Sequence, residues 1–489
     1  MYLDSMWHVS GRLIVVAVVV VAVHTLTNGQ YGFHRDELAT IDDARHLAWG
    51  FVAYPPVTPA IARLAFAIFG NSLAGLRFFA ALAQGAAIVL TGLMTRELGG
   101  KRAAQMVAGV AVAIAPLSVI AGELFQYVTF DYLWWVAIAW MMIRLLKSGD
   151  ARWFVGIGAL VGVGMMTKYT MGVLVIAMAA GVLLTPARRH LRSGWLWVGV
   201  ALSIAMFLPN VWWQMQHHLI SLDFLRSIHA RDIRIGRTSG FLLNQLFIPA
   251  SLMTIPLWVA GLWFFFFVED GRRYRTIGWM FVFTFAIFLA AKGRDYYMAP
   301  AYPMLLAGGA VMWERWRPVA RGFMWAALAL GCLLAPLLLP IAPINSSLWD
   351  NVTGKAYDFR EEVGWPDLVD TIAGIRASQP AGTAILAGNY GEAGAIDLYG
   401  PAHGLSGAIS GINSYWLRGY GDPPPQTLIV VGLSHDFLER NFTSCGLAGH
   451  VTNRYGVKNE EATEHPDIYV CRGLLRAWPD FWKDFQYFG

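Results

Sequence analysis

Charge is what this sequence has least of. Asp, Glu, Lys and Arg make up 14% of its 489 residues, against 56% hydrophobic, where soluble domains carry about 25% charged residues. This excludes an ordinary soluble globular chain and leaves a membrane-embedded one. Cysteine is scarce too, with three residues, and none stands in a zinc-binding spacing. No Walker or Rossmann pattern occurs. Gly156, Gly158, Gly162 and Gly164 lie inside an apolar run, where close helix packing explains them better than nucleotide binding. The net charge of +5 has no basic patch behind it. Lys and Arg fall in short clusters between apolar runs, which excludes nucleic acid as a partner and reads as membrane topology. The first apolar run lacks a small-residue cleavage site, so no signal peptide is expected and that run stays as a span.

A bilayer core takes roughly 20 apolar residues per helix, and the runs give about eleven spans. They fall at 11–28, 76–96, 103–122, 128–147, 153–167, 169–186, 195–213, 246–268, 276–291, 297–314 and 322–341. One set of loops carries Arg96, Lys101 and Arg102, then Arg144, Lys147 and Arg152, then Arg188, Arg189 and Arg192, then Arg272, Arg273 and Arg275, and last Arg315, Arg317 and Arg321. The positive-inside rule makes these loops and Arg12 cytoplasmic. The loops 29–75, 123–127, around Lys168, 214–245 and 292–296, and everything after about 342, are then outside. An odd number of spans agrees with that.

The predicted fold is a mainly α, polytopic membrane protein over residues 1–342, with outer-face juxtamembrane helices in 30–75, followed by a soluble α/β domain over 343–489. In that tail, Thr383–Ala387, Thr427–Gly432 and Ile468–Cys471 read as strands and Asp367–Ser378, Glu392–Tyr399 and His435–Asn441 as helices. Cys332, in the last span, is expected in the core. Cys445 and Cys471 fall in the outer domain, whose oxidising compartment permits a disulfide between them.

The charges that remain concentrate in one place. After the first span come His34, Arg35, Asp36 and Glu37, then Asp42 and Asp43. Carboxylates beside a base at a membrane surface suit acid–base or phosphate chemistry. Leu38, Ile41, Ala44, Leu47 and Ala48 have helical spacing, which predicts an amphipathic helix on the outer leaflet with Asp36 at its start. Asp36 there reads either as a site residue or as a helix cap, and Asp42 and Asp43 fall on the solvated side. Pro55 and Pro56 turn the chain back over the loop. Glu123 and Asp131 bracket another outer edge. Asp131, inside a span, is a candidate by default, with an ion pair to Lys168 or Arg77 as the structural alternative. Lys168 stands alone between apolar runs and needs a carboxylate or a lipid phosphate. Lys292, Arg294, Tyr296 and Tyr297 fit a phosphate clamp and fit an interfacial anchor equally.

The order of these motifs is familiar. It runs from the Arg35-Asp36-Glu37 loop through Ala44-Arg45-His46-Leu47, Pro55-Pro56 and Arg77-Phe78-Phe79-Ala80-Ala81-Leu82 to Asp131, Thr167-Lys168-Tyr169-Thr170 and Lys292-Gly293-Arg294-Asp295-Tyr296-Tyr297. It resembles bacterial family 39 glycosyltransferases of the GT-C superfamily, relatives of the protein O-mannosyltransferases and of the lipid A aminoarabinose transferase. The resemblance extends to Asn389–Ala395, Asn413–Trp416 and Ile468–Gly473 in the tail. It implies an inverting enzyme of the bacterial cytoplasmic membrane, acting on the outer face. Such an enzyme moves a sugar from a polyprenyl-phosphate donor to an acceptor hydroxyl on a glycan, lipid or protein. Asp36 is then the base and Glu37 its support. Lys168, Lys292, Arg294 and Arg35 hold the donor phosphate, and Asp131, Glu123, His34, Tyr169 and Tyr296 surround it. No cofactor is required. A divalent metal, seen near these carboxylates in some relatives, has Asp36, Glu37, Asp131 and His34 as the ligands on offer. The competing reading, from the spans and intramembrane charges alone, is a transporter or lipid flippase, although no internal repeat is visible.

Overall fold

The structure is a computed structural model that describes residues 10–354 and 359–489. From residue 11 to 334 every regular element is helical. A helix satisfies all its backbone N–H and C=O groups within one segment, which is what an apolar chain in lipid needs. The helices are α1 (Gly11–Thr27), α2 (Arg35–Arg45), α3 (Val57–Phe69), α4 (Leu73–Glu97), α5 (Arg102–Ala113), α6 (Pro116–Glu123), α7 (Tyr127–Ser148) and α8 (Trp153–Met165). They continue as α9 (Met171–Leu183), α10 (Gly194–Gln216), α11 (Ile220–Arg234), α12 (Phe241–Asn244), α13 (Ile255–Phe267), α14 (Arg275–Ala290), α15 (Tyr302–Trp313) and α16 (Pro318–Leu334).

Among the described residues, four helices are long and apolar enough to cross a membrane alone: α4, α7, α10 and the run Pro318–Leu338. Three bent pairs raise this to seven if each pair is one span. The expected span 103–122 is one such pair, α5 and α6, bent by 66°. The cause is local: Pro116 excludes α geometry from Ala115, which is extended at φ −66° and ψ 126°. The expected span 246–268 becomes helical only from Leu252 onward. The glycines of 156–164 serve packing, as expected. A Cβ on Gly158 would lie 2.1 Å from the Gly199 carbonyl oxygen of α10. The outward faces of α10 and α16 are apolar, with Trp197, Ile204, Trp212, Val319, Phe323 and Leu333 exposed, as lipid-facing helices require. Cys332 lies exposed on α16 rather than in the core, because the buried stripe of that helix is Met324, Leu328 and Gly331.

The tail forms a five-stranded mixed sheet in the order β2-β1-β3-β5-β4. Its strands are β1 (Ala384–Ala387), β2 (Ala408–Ile409), β3 (Thr427–Val431), β4 (Phe442–His450) and β5 (Asp467–Leu474). β1 runs parallel to β2 and β3, and β5 runs antiparallel to β3 and β4. Cys445 and Cys471 face each other across β4 and β5 and are bonded. Side chains alternate between faces. Leu386, Leu428, Val430 and Cys471 meet Trp478, Phe481 and Phe485 on one side. On the other, Ile385, Ala387, Ile429 and Val431 share a core with the helix Trp365–Ala377, the helix Tyr390–Tyr399, and Leu38, Ile41 and Ala44 of α2. So α2 is not a helix lying free on the leaflet. The expected stripe is buried against the tail at Leu38, Ile41 and Ala44, whereas Leu47 and Ala48 fall beyond the end of α2 and Leu47 is exposed.

Candidate functional site

The start of α2 is built by a capping box. The His34 ring accepts from the Asp36 amide, while the Glu37 carboxylate takes the His34 amide at 2.9 Å. Glu37 is fully buried. Its Oε1 accepts from Arg77 Nε and from the Phe125 amide, at 2.8 and 2.9 Å, and its Oε2 from Arg77 Nη2 at 2.8 Å. Arg77, itself fully buried, also meets Glu123 at 2.6 Å and Glu362 at 3.0 Å, and its guanidinium bonds the carbonyls of Asn28 and Gly32. One cation thus binds α2, α4, α6 and the tail together. Glu37 and Glu123 belong to this foundation and have no open oxygen facing a substrate.

Asp36 points the other way, into a cavity of about 880 Å³. Its side chain is 37% exposed, the most open of the carboxylates bonded along this loop and its arginines save Glu460. The Tyr390 hydroxyl donates to its Oδ1 at 2.9 Å, and Gln126 donates to its Oδ2. Burial, then the charge of Asp36, pushes the Tyr390 phenol well above its ordinary range, so it stays a donor. The same cavity is lined by Lys168, Tyr169, Arg231, Arg237, Arg294, Tyr296 and Tyr297. The Lys168 ammonium sits over the rings of Tyr297, Tyr127 and Tyr296, at 4.3, 5.4 and 5.5 Å. No described carboxylate lies within ion-pair distance of it. Arg294 is held by Asp232 of α11 in a two-pronged pair of 2.5 and 3.0 Å, and its third nitrogen donates to the Tyr296 hydroxyl at 3.2 Å. Tyr169 is fixed by Gln214, Asn210 and Ser221.

Several expected residues stand elsewhere. Lys292 is exposed and absent from the cavity wall. It takes a left-handed backbone (φ 49°) at the end of α14, which turns it outward while Arg294 turns in. Arg35 lines the cavity but is occupied by Glu460 at 2.6 Å, Glu361 at 3.2 Å and Glu461. Asp131 is buried and bonded to Trp135 and Thr170, at 3.0 and 3.3 Å, rather than facing the cavity. Asp42 and Asp43 are not solvated. Both are buried on Arg418, and Asp43 also accepts from the Tyr54 hydroxyl at 2.8 Å. Asp36, Glu37 and Asp131 do not make a donor set for one ion, because Glu37 is consumed by Arg77 and Asp131 faces Trp135. Among the described residues, ligand atoms close enough to share an ion occur at His435, Asp436 and Glu439, all exposed.

The residues sequence reasoning missed are Tyr390, Gln126, Tyr127 and Glu361. Tyr390 lies 354 positions from Asp36, and no local pattern signals such a pair.

The acidic excess around Arg35 makes a pH prediction. Burial first, then the charge of Glu461, pushes Glu392 up to about 8, and burial pushes Glu361 up to about 7. Both exceed the ordinary carboxyl range of roughly 4.3. A carboxyl raised by folding stabilises the fold below its unfolded value and loses that contribution as pH rises through the folded one. Thermal unfolding is therefore expected at lower temperature at pH 9 than at pH 5. Glu392→Gln, which keeps the cap on the Gly388 and Asn389 amides, should flatten that difference in a differential scanning measurement.

The arrangement is a GT-C-like fold. Residues 53–213 match the family model of dolichyl-phosphate-mannose-protein mannosyltransferases. The fold is similar to the crystal structure of ArnT from Cupriavidus metallidurans in the apo state, with a TM-score of 0.58 and 14% identity over 94% of this chain and 97% of that one. It is also similar to the same protein bound to undecaprenyl phosphate, with a TM-score of 0.56 and 14% identity over 94% and 98% of the two chains. The arabinofuranosyltransferase AftD from Mycobacteria matches at a TM-score of 0.57 and 15% identity, over 96% of this chain and 40% of that one. No curated protein matches the sequence.

Proposed function

We propose that this chain is an inverting glycosyltransferase that moves a sugar from a polyprenyl-phosphate donor, of the undecaprenyl-phosphate type, to an acceptor hydroxyl. The observation that carries the reading is the cavity itself. It brings Asp36, a carboxylate open to the cavity, and Lys168, an ammonium outside ion-pair distance of any described carboxylate, into a single chamber of about 880 Å³. In the reaction the acceptor O–H proton passes to Asp36 as the oxygen bonds the anomeric carbon. The bond from that carbon to the phosphate oxygen breaks, and the phosphate leaves as an anion that Lys168 stabilises. Inversion follows from attack opposite the leaving group. Glu37 positions α2 and takes no part in proton transfer. The similar structure bound to undecaprenyl phosphate supports a lipid-linked donor.

On this reading the arginine-rich loops face the cytoplasm, and Asp36, the cavity and residues 343–489 face the outside of a bacterial cytoplasmic membrane. Donors there are carried by lipids, because nucleotide sugars are made on the other side.

Two measurements test this. Mass spectrometry of glycolipids and glycans from cells with and without the chain should show one sugar addition that depends on it. Lipid translocation with no sugar transfer would instead favour a flippase. In binding assays on nanodisc-embedded protein, Lys168→Ala should weaken undecaprenyl phosphate about tenfold or more, as expected for a desolvated cation on a phosphate. Lys292→Ala should bind as wild type does.

A further inference from the structure

The tail motif Asn389-Tyr390-Gly391-Glu392-Ala393-Gly394-Ala395 has no part in the reaction as drawn above, yet four features of it converge on Asp36. Asn389 caps the helix Tyr390–Tyr399 by accepting from the Glu392 amide at 2.9 Å, and Glu392 returns bonds to the Gly388 and Asn389 amides at 3.1 Å each. This sets Tyr390 as the first residue of the helix, at the cavity wall. Gly391 and Gly394 then let that helix press on α2. A Cβ at 391 would fall 2.9 Å from Arg35 Cβ, and one at 394 would fall 2.8 Å from both the Leu38 carbonyl carbon and its Cβ. The Asn389 amide also reaches Glu461, which holds Arg35. With the two helices in contact, the Tyr390 hydroxyl lands 2.9 Å from Asp36 Oδ1.

We infer that this motif is a built part of the active site, and that Tyr390 is a positioning residue. Its hydroxyl holds Asp36 in the rotamer that presents a free lone pair to the acceptor hydroxyl. A carboxylate has about four acceptor positions. Tyr390 and Gln126 take one on each oxygen, which stops rotation of the group and leaves the remaining positions for the incoming proton. The tail is then a catalytic wall rather than an appendage on a membrane enzyme. The inference rests on Asp36 being the base, as proposed above.

The test uses the full chain. Product is measured by mass spectrometry of the glycan that disappears in cells lacking the protein. Undecaprenyl phosphate binding and thermal unfolding are measured on purified protein in nanodiscs. Tyr390→Phe removes the hydroxyl and keeps the ring. Product formation should fall about tenfold or more, as for a misoriented reacting group, with undecaprenyl phosphate affinity within twofold of wild type and the unfolding temperature within a few degrees. In an Asp36→Asn background the same change should cause no further loss, because the group it orients is gone. Product within twofold of wild type overturns the inference. So does a parallel loss of undecaprenyl phosphate affinity, which would make Tyr390 a lipid contact, or a collapse in unfolding temperature, which would make the hydroxyl structural. An active Asp36→Asn protein would overturn the proposed base itself, and this inference with it, whatever Tyr390→Phe does.

Discussion

Asp36→Asn should abolish sugar transfer while leaving the protein folded and able to bind undecaprenyl phosphate. The amide has the size of the carboxylate, and the carboxamide oxygen still accepts from the Tyr390 hydroxyl. The neighbouring Gln126 side chain can present its own oxygen to the new NH₂ group. In the mechanism proposed above, what is lost is the basic oxygen that takes the acceptor proton, and general-base catalysis contributes typically 10²–10⁴-fold. The stability of the start of α2 rests on His34, Glu37 and Arg77, none of which the substitution touches. The discriminating measurement is product formation beside undecaprenyl phosphate affinity. Wild-type turnover by Asp36→Asn would remove the assignment, whereas a loss confined to turnover separates the base from the lipid-binding groups.

Arg77→Met should be the most destabilising single substitution at this site, and it should take activity with it. Arg77 faces three fully buried carboxylates, Glu37, Glu123 and Glu362. The cluster already carries more negative than positive charge, and burial together with its acidic neighbours pushes Glu362 well above the ordinary carboxyl range despite the arginine. Removing one partner of a buried ion pair costs about 3–5 kcal/mol, and here three partners lose their cation at once. The Glu37 carboxylate would lose the bonds that orient it toward the His34 and Phe125 amides. The start of α2 and Asp36 would then lose their support. Arg77→Lys should not rescue, since an ammonium cannot supply the forked contacts to Glu37 and also reach Glu123 and Glu362. Thermal unfolding should show a drop of several degrees or more for both variants. An unchanged unfolding temperature would mean the cluster does not hold these segments together.

How much of this was readable from the residues depends on how local each feature is. The membrane class follows from composition, and α2 from the spacing of Leu38, Ile41 and Ala44. The strands β1, β3 and β5 follow from short β-branched runs. β4 does not, because Phe442–His450 is an edge strand with two glycines and little alternation of burial. Asp36 stands out in the sequence as one of a crowd of charges beside an apolar run, and Lys168 as a lone charge between two such runs. Asp42 and Asp43 were misread because the residue that neutralises them, Arg418, lies 376 and 375 positions away. The acidic partners of Arg35 likewise come from the tail, far along the chain. Lys292 was grouped with Arg294 on proximity in the chain, and one left-handed residue separated them. The missed partners are long-range and electrostatic, and no periodicity encodes them.

The pairing of the first acidic loop with the tail has a bearing on how the chain is made. Arg35, Asp36, Asp42 and Arg77 leave the ribosome early, but Glu461, Tyr390, Arg418 and Glu362, which complete their contacts, are synthesised more than 280 residues later. Until then the nascent chain holds a loop whose charges lack their final partners and a base with no fixed orientation. On the function proposed above, a partly translated chain would lack the Tyr390 hydroxyl that orients Asp36, and would gain it only when translation reaches its last quarter.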